Sequence, residues 1–128
     1  MTDIFEITKQ FTFEAAHYFP NMPKGHIYRK IHGHSFVVEV TFCGKKNKNN
    51  EWVTDFDDIN DSLDKIKKKL DHKCINDIKE IGLPTLENIS SWIGKELKKK
   101  YSNVYSIKLS RPSCGEFCLY RIIYLLLL

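Results

Sequence analysis

The run His32-Gly33-His34, with His17 upstream of it, constrains the fold of this chain more than any other stretch. Residues two apart on an extended strand project to the same face, so His32 and His34 present their imidazoles side by side. Gly33 between them has no side chain and permits a close backbone approach. His17 ends a second strand-like run, Phe11-Thr12-Phe13-Glu14-Ala15-Ala16-His17. If the two strands pair antiparallel, a third imidazole converges on the other two. Three neutral imidazoles are a familiar ligand set for catalytic zinc, with one position left open. On spacing alone the plainer reading, an exposed or hydrogen-bonded histidine pair, is the commoner one, and the surrounding sequence has to decide.

A length of 128 residues suits a single domain spanning 1–128. Hydrophobic residues make up 42% and charged residues 28%, the balance of a soluble globular protein. The net charge of +4 gathers in Lys67-Lys68-Lys69 and Lys98-Lys99-Lys100, each at an expected helix end. Cations there complement the helix dipole, so they argue against nucleic acid as a partner. A mildly basic surface still suits an anionic substrate. The four cysteines, Cys43, Cys74, Cys114 and Cys118, lack Cys-x-x-Cys spacing. With no basic opening or apolar run at the start, a reduced cytoplasmic compartment is the expectation. Leu125 to Leu128 is too short to span a bilayer and calls for a neighbouring surface to cover it.

Taken in order, residues 4–16 alternate as a first strand, 18–31 form a Pro- and Gly-bearing loop, and His32 to Phe42 form a second strand. A polar turn over 44–50 leads to an expected short third strand, Glu51 to Asp55. Phe56, Ile59, Leu63, Ile66 and Leu70 then make one apolar helical stripe. Residues 70–77 read as a loop. A second helix opens at Thr85, a candidate N-cap, and buries Ile89, Trp92, Ile93 and Leu97. Val104 to Leu109 and Cys118 to Leu127 are the last two strands, joined by a turn over 111–115. This order predicts an α+β fold, an antiparallel β-sheet with two helices on one face.

Five segments occur together and in order: Phe13-Glu14-Ala15-Ala16-His17, His32-Gly33-His34-Ser35-Phe36, Asp55-Phe56-Asp57, Leu70-Asp71-His72 and Pro84-Thr85-x-Glu87-Asn88. On them the chain resembles the 6-pyruvoyltetrahydropterin synthase family, and most of all its bacterial branch, the 6-carboxytetrahydropterin synthases of queuosine biosynthesis. The resemblance implies the tunnelling fold, in which sheets of several subunits close into a barrel, assembled as a hexamer from two trimers. It implies zinc held by His17, His32 and His34, acting on 7,8-dihydroneopterin triphosphate. The metal would acidify a bound substrate hydroxyl while a base removes a carbon-bound proton. Asp71 and His72 match the family's acid–base relay, and Thr85 and Glu116 are the candidate substrate contacts.

Two positions depart from the family pattern. The catalytic cysteine four residues before the His-Gly-His run is Tyr28 here, and an unperturbed phenol, titrating near 10, is a poor base at neutral pH. No carboxylate lies within 24–31, as cleavage to a hydroxymethylpterin would need. The pterin-anchoring glutamate falls on Pro112 in an ungapped alignment, with Glu116 four residues further on. Two readings follow: a zinc-dependent pterin lyase with an altered base, or a non-catalytic paralogue that keeps zinc and pterin binding.

Overall fold

The computed structural model describes residues 3–122, so the leucine run at 125–128 lies outside the described residues. Two long strands, β1 (Phe5–His17) and β2 (His32–Gly44), form the central antiparallel pair. Helix α1 (Phe56–Leu70) follows, then a two-residue strand β3 (Lys73–Cys74), helix α2 (Leu86–Lys98), β4 (Val104–Arg111) and β5 (Glu116–Arg121). The sheet order is β3-β1-β2-β4-β5.

Alternation sets which face of the sheet is covered. Phe36, Val38, Val40 and Phe42 of β2 are fully buried, and their cross-strand neighbours Phe13 and Ala15 of β1 and Ile107 and Leu109 of β4 join them. Both helices press on this face through Ile59, Leu63, Ile66 and Leu70 of α1 and Ile89, Trp92, Ile93 and Leu97 of α2. Across the opposite face run polar pairs such as Thr8 and Thr41, whose hydroxyls lie 2.7 Å apart. Gly94 lets α2 approach β5: a Cβ there would lie 3.0 Å from the Tyr120 ring.

Capping chemistry explains where the helices begin. The Asp55 carboxylate accepts the N–H of Asp57 at 2.9 Å, and the Thr85 hydroxyl accepts that of Asn88 at 3.0 Å. Lys67, Lys68 and Lys69 do occupy the last turn of α1, where Lys69 pairs with Glu96 of α2 at 2.8 Å. Lys100 pairs with Asp58 at 2.7 Å and Tyr101 donates to the same carboxylate at 2.5 Å, which together hold it below the usual carboxylate range.

Several expectations need correction. Residues 51–55 form no strand: Asn47 and Trp52 close a local turn, Glu51 takes a positive φ of 62°, and Asp55 is spent as a cap. Phe56, placed in the buried stripe, is largely exposed at the first turn of α1. The sheet is not wholly antiparallel, because residues 73–74, expected in a loop, run parallel to Ala15 and Ala16 of β1. Strand β5 starts at Glu116, two residues ahead of Cys118. Its expected extension beyond 122 lies outside the described residues. Among the described residues, no helix is long and apolar enough to cross a membrane.

Phe36 links core and histidines, stacking on Phe13 at 4.7 Å between ring centroids and lying 5.7 Å from the His34 ring. Phe36→Ala leaves a cavity at a fully buried position and is expected to cost about 3–5 kcal/mol. Urea denaturation of the metal-free protein measures this, and a loss below about 1 kcal/mol contradicts the packing described.

Candidate metal centre

The hairpin register brings the three histidines together. His17, the last residue of β1, lies directly across from His32, the first of β2, and His34 faces Ala15. All three side chains share the covered face with Phe13 and Phe36, at the end where the helices stop. The imidazole centroids are 4.6 Å apart for His17 and His32, 4.9 Å for His17 and His34, and 5.0 Å for His32 and His34. The rings stand steeply to one another, at 67°, 89° and 88°, so edges converge where faces would stack. One donor atom from each lies within 4.8 Å of the others.

Hydrogen bonds settle which nitrogen of two rings carries the proton. His17 Nδ1 lies 3.1 Å from the carbonyl of Pro84, and His32 Nδ1 lies 2.8 Å from that of Lys30. A carbonyl only accepts, so each Nδ1 carries hydrogen and each Nε2 keeps a bare lone pair. Those two Nε2 atoms face each other at 3.0 Å. Two lone pairs at that distance repel unless a cation sits between them. His34 Nε2 is likewise buried and has no hydrogen-bond partner. Burial pulls the His17 pKa down to about 4, against the opposing pull of the Pro84 carbonyl, and the neighbouring His32, His34 and Arg111 add to the lowering. His34 is lowered first by burial and then by Arg111. Burial that disfavours protonation of His17 and His34, with the Nδ1 atoms of His17 and His32 committed to carbonyls, fits a divalent metal of zinc type.

The other expected site residues divide into two groups. Asp71 closes α1 and sends one carboxylate oxygen to the Glu14 N–H at 2.8 Å, which draws its pKa below the usual carboxylate range. The other oxygen lies 3.1 Å from His72 Nδ1. His72 adopts a φ of 60°, donates its backbone N–H to Glu14, and leaves its side chain 80% exposed. It lines an open cavity of about 640 Å³ together with Glu14, Gly33, His34, Ser35 and Ser113. Of the three histidines, His34 alone lines this cavity with His72, and Asp71 reaches it only through His72.

Tyr28, Thr85 and Glu116 stand apart from that cavity. Tyr28 sits in a short 3₁₀ turn over Ile27–Arg29, half exposed, with its ring 6.5 Å from that of His32. The loop carrying it is closed by the Phe19 N–H donating to the Tyr28 carbonyl at 2.7 Å. The Thr85 hydroxyl is spent capping α2, although the neighbouring Pro84 carbonyl holds His17. Glu116 is ion-paired with Arg111 at 3.0 Å, in a separate depression that Glu87 also lines. One neighbour carried no signal in the sequence: the Cys114 thiol, 3.7 Å from His34 Nδ1. Residues eighty positions apart show no spacing pattern that could have paired them.

The description 6-pyruvoyl tetrahydropterin synthase fits residues 6–122 of this chain. A putative 6-carboxy-5,6,7,8-tetrahydropterin synthase of Archaeoglobus fulgidus is 38% identical over 99 residues, covering 77% of this chain and 81% of that protein. A dihydroneopterin monophosphate aldolase of Pyrococcus furiosus is 34% identical over 105 residues, covering 82% and 83%. The fold is similar to that of the Caenorhabditis elegans 6-pyruvoyl tetrahydropterin synthase, with a TM-score of 0.82 at 18% identity and coverage of 95% and 98%. The match runs through the histidine hairpin, both helices and the last strand, and the chain belongs to the 6-pyruvoyl tetrahydropterin synthase family.

Proposed function

We propose that the protein is a zinc-dependent lyase acting on 7,8-dihydroneopterin triphosphate, in the manner of the 6-carboxy- and 6-pyruvoyltetrahydropterin synthases, within queuosine biosynthesis. The observation that carries the metal centre is the 3.0 Å approach of two Nε2 lone pairs whose Nδ1 atoms are committed to carbonyls. Zinc bound by His17, His32 and His34 would supply a Lewis acid that acidifies a substrate hydroxyl.

The chain's own groups would do the rest. Asp71 accepts the His72 Nδ1–H, which fixes the tautomer and leaves Nε2 as the basic atom, across the cavity from His34. Tyr28 donates a hydrogen bond to developing negative charge and does not take up a proton. Thr85 and Glu116 are the proposed substrate contacts. Glu116 would accept paired hydrogen bonds from the pterin's amino group and ring N–H once it leaves Arg111.

Oligomerisation belongs to the same reading: one domain of 128 residues, packed as a dimer of trimers whose sheets close a barrel, in the cytoplasm. Edge strand β5 exposes Phe117 at 62% and Leu119 at 44%, an apolar edge that a second sheet would cover.

The alternative, a non-catalytic paralogue that binds zinc and pterin, is favoured by the phenol at position 28 and by the Glu116–Arg111 pair. A third outcome, carbon–carbon cleavage, is raised by the name of the Pyrococcus relative. Incubating zinc-loaded protein with dihydroneopterin triphosphate and identifying products by mass separates them. Release of free inorganic triphosphate supports elimination, a hydroxymethylpterin with a phosphorylated two-carbon aldehyde supports aldol cleavage, and intact bound substrate supports the paralogue.

Three further results are expected. Purified protein carries about one zinc per chain and His32→Ala carries none, as metal analysis will measure; unchanged zinc in that variant places the site elsewhere. Light scattering at micromolar concentration gives an oligomer, and a monomer contradicts the edge argument. His72→Ala abolishes turnover, while Tyr28→Cys raises it by about 10²-fold, the gain of a positioned base. If Tyr28→Phe is inactive and Tyr28→Cys gains nothing, Tyr28 is itself essential and the role given to His72 is wrong.

A further inference from the structure

Each imidazole of the histidine centre has an inner and an outer nitrogen. For His17 and His32 the outer Nδ1 meets a backbone carbonyl, of Pro84 and Lys30 respectively. The outer nitrogen of His34 meets no carbonyl. It faces the Sγ of Cys114 at 3.7 Å, within reach of an N–H···S hydrogen bond, while its Nε2 is buried without a partner. We propose that Cys114 is a positioning residue of the metal centre, its sulfur accepting the His34 Nδ1–H and so holding Nε2 toward the metal. The proposal rests on the zinc reading above and goes beyond it.

Three features of the turn support this role. Cys114 ends a 3₁₀ turn over Pro112–Cys114, which Gly115 closes in a left-handed conformation at φ 67° by donating its N–H to Pro112 at 3.1 Å. The turn therefore fixes the backbone from which the thiol projects. The Ser113 hydroxyl lies 3.9 Å from the same sulfur and lines the cavity with His34 and His72. A thiol that accepts from His34 keeps its own S–H free to donate to Ser113, so the contacts are compatible. Finally, the sulfur contacts Nδ1 of His34, the nitrogen opposite the buried, unpartnered Nε2, and Cys114 is not among the side chains whose donor atoms cluster. That position makes Cys114 a partner of a ligand and excludes it as a ligand, in keeping with a donor group of His17, His32 and His34 alone.

An outer partner that fixes tautomer and ring orientation typically accounts for 10–100-fold in metal affinity. A sulfur is a softer and weaker acceptor than a carbonyl, so His34 is the most loosely held of the three ligands. The centre is then tied to the state of an exposed thiol, which neither of the other two ligands offers.

The test compares wild type, Cys114→Ala, Cys114→Ser and, as a control at the far end of the hairpin, Cys43→Ala. Zinc affinity is read by competition with a chromophoric chelator, and ligand geometry by the visible absorption of the cobalt(II)-substituted proteins. The alanine variant is expected to bind zinc 10–100-fold more weakly with an altered cobalt spectrum, serine to recover part of the loss, and the control to match wild type. An alanine variant that binds within twofold of wild type and keeps its cobalt spectrum overturns the role of Cys114. A wild type that takes up no zinc overturns the metal centre itself, and the proposal with it. Circular dichroism checks folding; should the alanine variant not fold, serine carries the comparison, and wild-type affinity with an unchanged spectrum then overturns the proposal.

Discussion

Everything at the candidate site depends on the antiparallel pairing of β1 with β2. That pairing holds thirteen residues of each strand in one register, from Phe5 opposite Gly44 to His17 opposite His32. Because side chains alternate with period two, a slip of one residue would turn every buried side chain of a strand outward. The core prevents it: Phe13, Phe36, Val38, Val40 and Phe42 are buried together against both helices. The energy that locks the register comes from apolar burial, while the histidines inherit their positions at the open end. This is how an apolar core can hold three polar rings close enough to share a cation.

The second requirement, neutral and oriented rings, is met from elsewhere in the chain. His17 is oriented by Pro84, just ahead of α2, and His32 by Lys30, in the loop before β2. His34 is oriented by Cys114, in the turn between β4 and β5. Three segments remote from one another in sequence thus converge on one face of one hairpin. Burial keeps the protons off His17 and His34, and Arg111 beside them works in the same direction. A positive charge so near the centre opposes protonation of the rings.

Positions 28 and 111–116 are where the chain differs from the family pattern that its sequence resembles, and each is occupied by local structure. Tyr28 sits in a 3₁₀ turn that His26 caps by accepting the Tyr28 N–H at 3.1 Å. Pro112 opens a second such turn, and Arg111 and Glu116 face each other across it at 3.0 Å. Both departures lie on loops, where the backbone can change without disturbing the register of the sheet.

The sequence by itself determined the elements whose pattern repeats. The stripe of Ile59, Leu63, Ile66 and Leu70 and the alternation of β1, β2 and β4 were legible because a helix or strand writes its period into the residues that it buries, and Thr85 was legible as a cap from its residue type; the grouping of His17 with His32 and His34 was left open by spacing and came from the family resemblance. Phe56 and residues 51–55 were misread because a local apolar residue or an alternating pentamer carries no record of whether a partner stands beside it. Only the tertiary structure decided the parallel placement of Lys73–Cys74 along Ala15 and Ala16, the meeting of His34 with His72 around one cavity, and the approach of Cys114 to His34. The physical reason is the same for all three. Such contacts join segments tens of residues apart through the way that helices and strands stack, and a hydrogen bond between two side chains leaves no periodic trace in the chain that makes it.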